Sequence, residues 1–402
     1  MVDLQKIGTK SKKLWRVDER ELAYIQQAIA SGLTGDATKT FEEAFAKKFG
    51  VQYAIAVNSG TSALHAAIVA LEIGPGDEVI VPPLTFIAPA FAPLFVGAIP
   101  VFADIDPQTF NIDPEDIRRK ITPRTRAIIT VSLYGLSPDM DTIMEIATQH
   151  NLKVIEDNAQ CVLGRYKKQI VGTIGDISIF SLQRSKHLTA GGGGVAITNN
   201  EKIAEKFRKV SDLGYTTLTA KPISNEDFKE RIQHPDFKRH ELIGYNFRMP
   251  DVCAAMALAQ VEKMDMLLEK RIAIAKLYEE VLRVCDWLIP QHCPKDIMHT
   301  YWTYAIKLDT TKKAISWLEF RTAFRNNGGE RFYGAWTLGY LEPALEGMKL
   351  GTHGMRYEKG LCPVAESVQP YIIQLKTNFE DLQYAHQQSN ALAKTISQFS
   401  LA

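Results

Sequence analysis

The chain has 402 residues, 46% of them hydrophobic and 23% charged, a composition ordinary for a globular protein of one or two domains. Its 47 basic and 46 acidic residues almost cancel, so charge does not favour nucleic acid or an anionic membrane as a partner. The five cysteines are scattered without a C-x-x-C pair, which indicates neither a metal site nor a disulfide framework. No apolar run has the length of a membrane span or resembles a signal region, so we expect a reduced, cytoplasmic protein.

The first half of the chain carries the pattern of alternating helices and strands. Two helical patterns lie on either side of residues 31–36. Short apolar runs then predict strands at 53–57, 78–82, 99–103, 127–131, 153–156 and 195–198. Helical patterns lie between them at 62–71, in an apolar segment after 82 that ends at 95, and at 140–150. This alternation predicts an α/β fold with a mostly parallel sheet flanked by helices, and such sheets bind ligands at the carboxyl ends of their strands.

The second half predicts a different architecture. Residues 254–281 have the pattern of one long amphipathic helix that links the large domain to a second one. A strand at 303–308, a helix at 316–325 and a final helix from Asn378 predict a smaller C-terminal α+β domain. The polar residues 215–240 are interpreted as an inserted, solvated segment. We place the division at 1–260 and 261–402.

Residues 180–199 read FSLQRSKHLTAGGGGVAITN, with one lysine before four glycines. A phosphate-binding loop of nucleotide hydrolases needs its lysine after the glycines, and here Lys186 precedes them. A dinucleotide fingerprint is also missing, since no G-x-G-x-x-G follows a predicted strand. We therefore expect Lys186 to carry the chemistry, and the glycines to let two backbone segments pass closely.

Polar residues follow three of the predicted strands. The segment 58–62 (NSGTS) places hydroxyl side chains at a helix N-terminus, which is either a simple cap or a phosphate site. Asp157 follows a buried strand, either as a helix cap or as a catalytic carboxylate. Lys186 follows a third strand. A phosphate site, an aspartate and a lysine suit pyridoxal 5'-phosphate (PLP), because the lysine links to its aldehyde and the aspartate pairs with its pyridinium nitrogen.

Five motifs resemble, in order, the sugar aminotransferases of the DegT/DnrJ/EryC1/StrS family. They are NSGTSALHAA (58–67), GDEVIVPPLTFIAPA (76–90), GAIPVFADIDPQTFNID (97–113), VIEDNAQ (154–160) and GYNFRMPDVCAAMALAQ (244–260). The resemblance implies the type I aminotransferase fold and PLP as cofactor. It implies that a nucleoside-diphosphate-linked keto sugar is aminated, with glutamate as donor, as in amino-sugar biosynthesis for lipopolysaccharide O-antigen. It also implies a homodimer with shared active sites.

The resemblance assigns roles to single residues. Lys186 resembles the lysine that links to PLP and moves protons, and Asp157 resembles the partner of the pyridinium nitrogen. Gln160 is expected to contact the ring hydroxyl. Phe86 is expected to stack on the ring, although core packing is the alternative for a phenylalanine in this position.

Further residues resemble the phosphate-binding group of the family. Gly60, Thr61, Ser62 and Ser181 belong to this group, and Asn246 is expected to reach the phosphate from the other subunit. Arg248 is expected to lie beside Asn246. No metal ligand is implied.

Three positions depart from the family pattern. Gly192 replaces the usual acidic residue of the glycine run, and Ser132 replaces a usual histidine. His187 directly follows Lys186, and one branch of the family with histidine in place of the lysine consists of dehydratases. The spacing from Ser181 puts Lys186 in the reactive position, which favours the aminotransferase. A dehydratase and a non-catalytic binding or regulatory protein remain the alternatives.

Overall fold

The computed structural model describes residues 15–221, 233–350 and 355–400. The helices in this part of the chain are α1 Glu19–Ala30, α2 Asp36–Phe49, α3 Gly60–Ala70, α4 Ala88–Leu94, α5 Pro114–Lys120, α6 Met140–His150, α7 Glu201–Ser211, α8 Asp251–Glu262, α9 Met264–Leu282, α10 Trp317–Asn326, α11 Pro363–Val368 and α12 Leu382–Ser400. The strands are β1 Tyr53–Val57, β2 Glu78–Val81, β3 Ile99–Phe102, β4 Thr125–Val131, β5 Lys153–Asp157, β6 Arg165–Tyr166, β7 Gln169–Ile170, β8 Ile177–Ser181, β9 Gly194–Thr198, β10 Leu288–Pro290, β11 Ile297–Met298, β12 Thr303–Leu308, β13 Tyr333–Gly334, β14 Lys349–Leu350, β15 Met355–Arg356 and β16 Ile372–Lys376.

A seven-stranded sheet forms the centre of the large domain, in the order β1-β9-β8-β5-β4-β2-β3. Strand β9 runs antiparallel to both of its neighbours, and the other adjacent pairs are parallel. Residues of one strand alternate between two cores, so that Ile129 packs in one cluster and Ile128 in another. The predicted mostly parallel mixed sheet between helices is therefore confirmed.

The same pairing brings the carboxyl ends of six strands to one edge of the sheet. Strands β8, β5, β4, β2 and β3 run parallel to one another, and β1 shares their direction because it pairs antiparallel with β9. The loops after these strands contain the residues selected from the sequence. This is the edge at which parallel sheets bind their ligands.

A second, antiparallel sheet in the order β10-β12-β16-β13 forms the smaller unit. Its core includes Phe320 and Phe324 of α10 and Leu392 and Ile396 of α12. The predicted C-terminal α+β unit is confirmed. The division at residue 260 falls inside α8 and stays a prediction.

Two predicted helices have different bounds in the structure. The single helix expected over 254–281 is two helices, because Lys263 (φ −98°, ψ 5°) interrupts them and its N–H donates to Gln260 O three residues earlier. The buried Lys263 ammonium pairs with Glu21 at 2.6 Å, a long-range contact that the local pattern cannot reveal. The final helix begins at Leu382 rather than at Asn378, and Asp381 caps it by accepting the Gln383 N–H.

The segment expected to be an insertion lies partly outside the described residues, which omit 222–232. Its flanks meet where Tyr215 bridges His240. Within the described residues, no helix is long and apolar enough to cross a bilayer. No group of three or more His, Cys, Asp or Glu side chains suited to a metal ion occurs in the same part of the chain.

Candidate active site

Lys186 lies in the loop that follows β8, in a turn where its N–H donates to Gln183 O at 2.9 Å. Its Nζ is 4.6 Å from the centre of the Trp302 ring, a cation–π distance. Burial lowers the pKa of Lys186 to about 8, against the opposing effect of the Asp157 charge. A substantial fraction of the amine is therefore neutral near pH 8, as a nucleophile requires.

Asp157 is the last residue of β5 and is only 6% exposed. Its Oδ1 accepts the Ala159 N–H at 3.0 Å. Burial raises the pKa of the carboxyl to about 6, while the Ala159 N–H and the charge of Lys186 act in the opposite direction. A buried carboxylate of this kind gains stability from a nearby cation, and a pyridinium N–H is such a cation.

The N-terminus of α3 lies beside the end of β8. Ser59 caps the helix, since its Oγ accepts the Ser62 N–H at 3.0 Å. A Cβ added to Gly60 would lie 3.0 Å from the Ser181 Cβ, so Gly60 and Ser181 are in direct contact. With Thr61 and Ser62 in the first turn, hydroxyls and a helix N-terminus converge in an arrangement suited to a phosphate.

The glycine run has the role expected of it at its last position. A Cβ on Gly194 would lie 2.5 Å from Ser59 O and 2.7 Å from Gly60 N, so that only glycine allows the two backbones to pass. Gly192, in contrast, is exposed and has no atom within 4 Å of an added Cβ. Packing therefore does not require glycine where the family pattern has an acidic residue.

Phe86 and Gln160 lie in loops after β2 and β5. Phe86 is 51% exposed and meets the Trp336 ring edge-on at 6.2 Å, so core packing does not explain it. Gln160 is buried, and its Oε1 accepts the N–H of Tyr134, a residue with φ +60°, at 2.9 Å. This bond fixes the orientation of the amide and leaves Nε2 as the group that can donate to a ligand.

Asn246 and Arg248 lie near the end of β1 of their own chain. The backbone of this segment is held there because Asn58 N–H donates to Phe247 O at 2.7 Å and Val57 bridges Arg248. Asn246 is exposed, and Arg248 forms an ion pair with Asp212. The placement of Arg248 beside Asn246 near the edge of the site is as expected, and the contact of Asn246 across a dimer stays a prediction.

The two other departures from the family pattern have structural explanations. His187 is 1% exposed, and its Nε2 is 3.0 Å from Thr300 O. Burial lowers its pKa well below the usual value, so that His187 is a neutral packing residue. Ser132 donates its hydroxyl to Asn158 Oδ1 at 2.6 Å.

Sequence reasoning missed three residues that contact the lysine loop, namely Arg16, Arg271 and Trp302. For Arg271 a signal existed, because it occupies a position of the buried stripe of α9 together with Leu267, Leu268 and Ile274. The contacts of Arg16 and Trp302 are long-range and have no local signal.

The edge of the sheet thus brings together a lysine whose pKa is lowered, a buried carboxylate, a helix N-terminus with hydroxyls and a half-exposed aromatic ring. These groups fit PLP, since each matches one part of it: aldehyde, pyridinium nitrogen, phosphate and ring face. Fold and site define a PLP-dependent enzyme of the type I aminotransferase fold.

Comparisons with known proteins agree with this class. The model of the DegT/DnrJ/EryC1/StrS aminotransferase family matches residues 16–388. The GDP-perosamine synthase of Caulobacter vibrioides is 39% identical over 312 residues, 77% of this chain and 79% of that protein. The GDP-perosamine synthase of Escherichia coli O157:H7 is 38% identical, over 73% of this chain and 76% of that protein. An aminotransferase of Psychrobacter cryohalolentis has a similar structure, with a TM-score of 0.84, 30% identity and coverage of 96% and 98% of the two chains.

The chain belongs to the DegT/DnrJ/EryC1/StrS aminotransferase family. It is accordingly a PLP-dependent aminotransferase, and the predicted family, fold and cofactor are confirmed. The contacts assigned to single residues remain predictions.

Proposed function

We propose that the protein transfers an amino group from glutamate to a nucleoside-diphosphate-linked keto sugar. The observation that carries this proposal is that Asp157, at the end of β5, and Lys186, in the loop after the adjacent parallel strand β8, lie at one edge of the sheet in a chain that belongs to this family. The names of the two relatives given above make a GDP-linked keto sugar the first substrate to test.

The residues of the site have distinct parts in this reaction. PLP, when bound, supplies an electron sink and carries the amino group between donor and acceptor. Lys186 would hold PLP through its amine and, once released, would move the proton at the reacting carbon, because its lowered pKa makes both charge states accessible. Asp157 would keep the ring nitrogen protonated. Phe86 would pack against the ring and exclude water from it.

A cavity of about 760 Å³ next to the lysine loop is the proposed entry for the sugar nucleotide. Ser185 and Trp302 line it, and Tyr333 and Trp336 contribute further aromatic surface. Flat aromatic side chains suit both sugar rings and nucleobases. The exposed Tyr333, at 71%, can be covered by a ligand without rearranging the core.

A homodimer with Asn246 donated to the partner's site, a cytoplasmic location and a product used in lipopolysaccharide O-antigen are part of the proposal. The family resemblance supports them, and each needs its own test. The alternative of a histidine-based dehydratase is disfavoured by His187, which lies buried against Thr300.

The first experiment uses the PLP-loaded protein and glutamate without sugar. Glutamate alone is expected to shift the absorbance of the lysine-linked cofactor to that of pyridoxamine phosphate and to release 2-oxoglutarate. A panel of keto-sugar nucleotides, beginning with GDP-linked ones, then identifies the acceptor by mass spectrometry of the aminated product.

Borohydride reduction followed by peptide mapping is expected to place the pyridoxyl group on Lys186. Lys186→Ala abolishes the glutamate reaction, and the matched control Lys202→Ala, at an exposed lysine of α7, retains it. Labelling of another lysine, or no response to glutamate by the loaded wild type, contradicts the proposal.

A further inference from the structure

Four successive backbone carbonyls around Lys186 accept hydrogen bonds from side chains distant in sequence. The Arg16 guanidinium donates to Arg184 O at 2.5 Å, to His187 O at 3.0 Å and to Lys186 O. Trp302 Nε1 donates to Ser185 O at 2.9 Å, and Arg271 donates to Lys186 O at 3.3 Å. Side chains from distant parts of the chain therefore fix the backbone of the lysine loop at each of these four residues.

Arg16 is itself fixed by its surroundings. Its carbonyl accepts Gln260 Nε2 at 2.8 Å and Lys263 Nζ at 2.9 Å, so the backbone is bound to the interruption between α8 and α9. The side chain is only 2% exposed, and no carboxylate within the described ranges forms an ion pair with it. Burial and the nearby Arg184 charge lower its pKa to about 10.

Burying a guanidinium without a counter-charge costs free energy, and the Nε of Arg16 has no hydrogen-bond partner among the residues that the structure describes. A methionine of similar volume would avoid that cost. The contacts that offset the cost are those to the lysine loop. Arg16 therefore serves the position of this loop rather than general stability.

Arg271 is a second buried arginine that contacts the same loop. It is 1% exposed and donates to Trp302 O at 2.9 Å and to Thr377 Oγ1 at 3.0 Å. Through these bonds the lysine loop, helix α9 and the segments before β12 and after β16 form one connected network.

We propose that Arg16 is a positioning residue which, with Arg271 and Trp302, fixes the backbone of Lys186. In a full transamination cycle the lysine would leave PLP in the first half-reaction and rejoin it only at the end of the second, and a fixed backbone keeps its amine within reach in between. This inference rests on the proposed function for its kinetic part only, because the fixed loop is a property of the chain itself.

The test compares Arg16→Met, Arg16→Lys and the wild type. Without PLP, hydrogen exchange of peptides covering 183–190 is expected to be at least about 5-fold faster in Arg16→Met, because local opening no longer breaks these bonds. With PLP and saturating glutamate, the first-order rate constant of the glutamate reaction is expected to fall by about 10-fold or more in Arg16→Met, while the half-saturating concentration of glutamate stays within about 2-fold of the wild-type value. Arg16→Lys keeps a buried donor, so both changes are expected to be smaller in it than in Arg16→Met.

Arg208→Met is the matched control. Arg208 is a half-buried arginine that pairs with Glu42 at 2.8 Å and donates to none of the lysine-loop carbonyls. It is expected to lower the melting temperature while leaving exchange at 183–190 and the rate constant within about 2-fold. Equal effects of Arg208→Met and Arg16→Met on these readouts would overturn the proposal, as would unchanged exchange in Arg16→Met.

If Arg16→Met does not fold, Arg16→Lys and Arg271→Lys carry the same comparison. A wild type that does not respond to glutamate contradicts the proposed function, while the exchange measurement still decides whether Arg16 fixes the loop.

Discussion

Asp157→Asn is expected to stabilise the PLP-free protein while abolishing most turnover. The folded protein raises the pKa of this carboxyl from 3.8 to about 6. The native state therefore binds the proton more tightly than the unfolded chain, and ionisation destabilises it as the pH rises from about 4 to 6. Above pH 6 the cost is about 3 kcal/mol, from roughly 2 pKa units at about 1.4 kcal/mol each. At pH 5 it is about half as large.

An asparagine carries no charge and avoids this cost. Thermal unfolding of the PLP-free proteins at pH 8 is expected to show Asp157→Asn melting about 3 °C higher, given the unfolding entropy of a chain of this length. Asp265→Asn, at an exposed ion-paired aspartate, is the control and is expected to give no rise in melting temperature. With PLP added, the wild type is expected to melt at a higher temperature than Asp157→Asn, because only the carboxylate pairs with the pyridinium. An Asp157→Asn protein less stable than wild type at pH 8, or a pH-independent difference, refutes the reasoning.

Three further predictions concern Lys186 and its neighbours. The rate of PLP attachment to the PLP-free protein, followed by absorbance, is expected to rise about 10-fold per pH unit and to level off above about pH 8. The reason is that burial lowers the pKa of Lys186 and only the neutral amine attacks. A pH–rate profile with its midpoint near the usual lysine pKa of about 10.5 contradicts this. His187→Ala is expected to lose about 1–3 kcal/mol of stability in urea unfolding but to keep most of the glutamate reaction, since His187 packs against Thr300. If His187→Ala loses the reaction and Lys186→Ala retains it, His187 and not Lys186 is the reactive residue. Mixing Lys186→Ala with Asn246→Ala is expected to restore one complete site in some heterodimers, measured as regained glutamate reaction, and no recovery in heterodimers proven to form argues against sharing.

The amino-acid sequence alone determined the fold class, the family and the cofactor. Short apolar runs such as 53–57 and 195–198 lie where the strands lie, because strands buried on both faces need continuous hydrophobic residues. Lys186, Asp157 and the NSGTS segment were selected because they follow strands whose parallel order sends their carboxyl ends to one edge. Local pattern and motif spacing carry this information directly.

The tertiary structure alone decided how the site is held and how its groups ionise. Lys263 interrupts a helix that local periodicity makes continuous, and its ammonium pairs with Glu21 more than 200 residues away. Arg16 reaches the carbonyls around Lys186 across 170 residues of sequence. The pKa values of Lys186 and Asp157 depend on burial by the whole surrounding protein. Desolvation and long-range hydrogen bonds arise only when distant segments pack together, so no local pattern of residues encodes them.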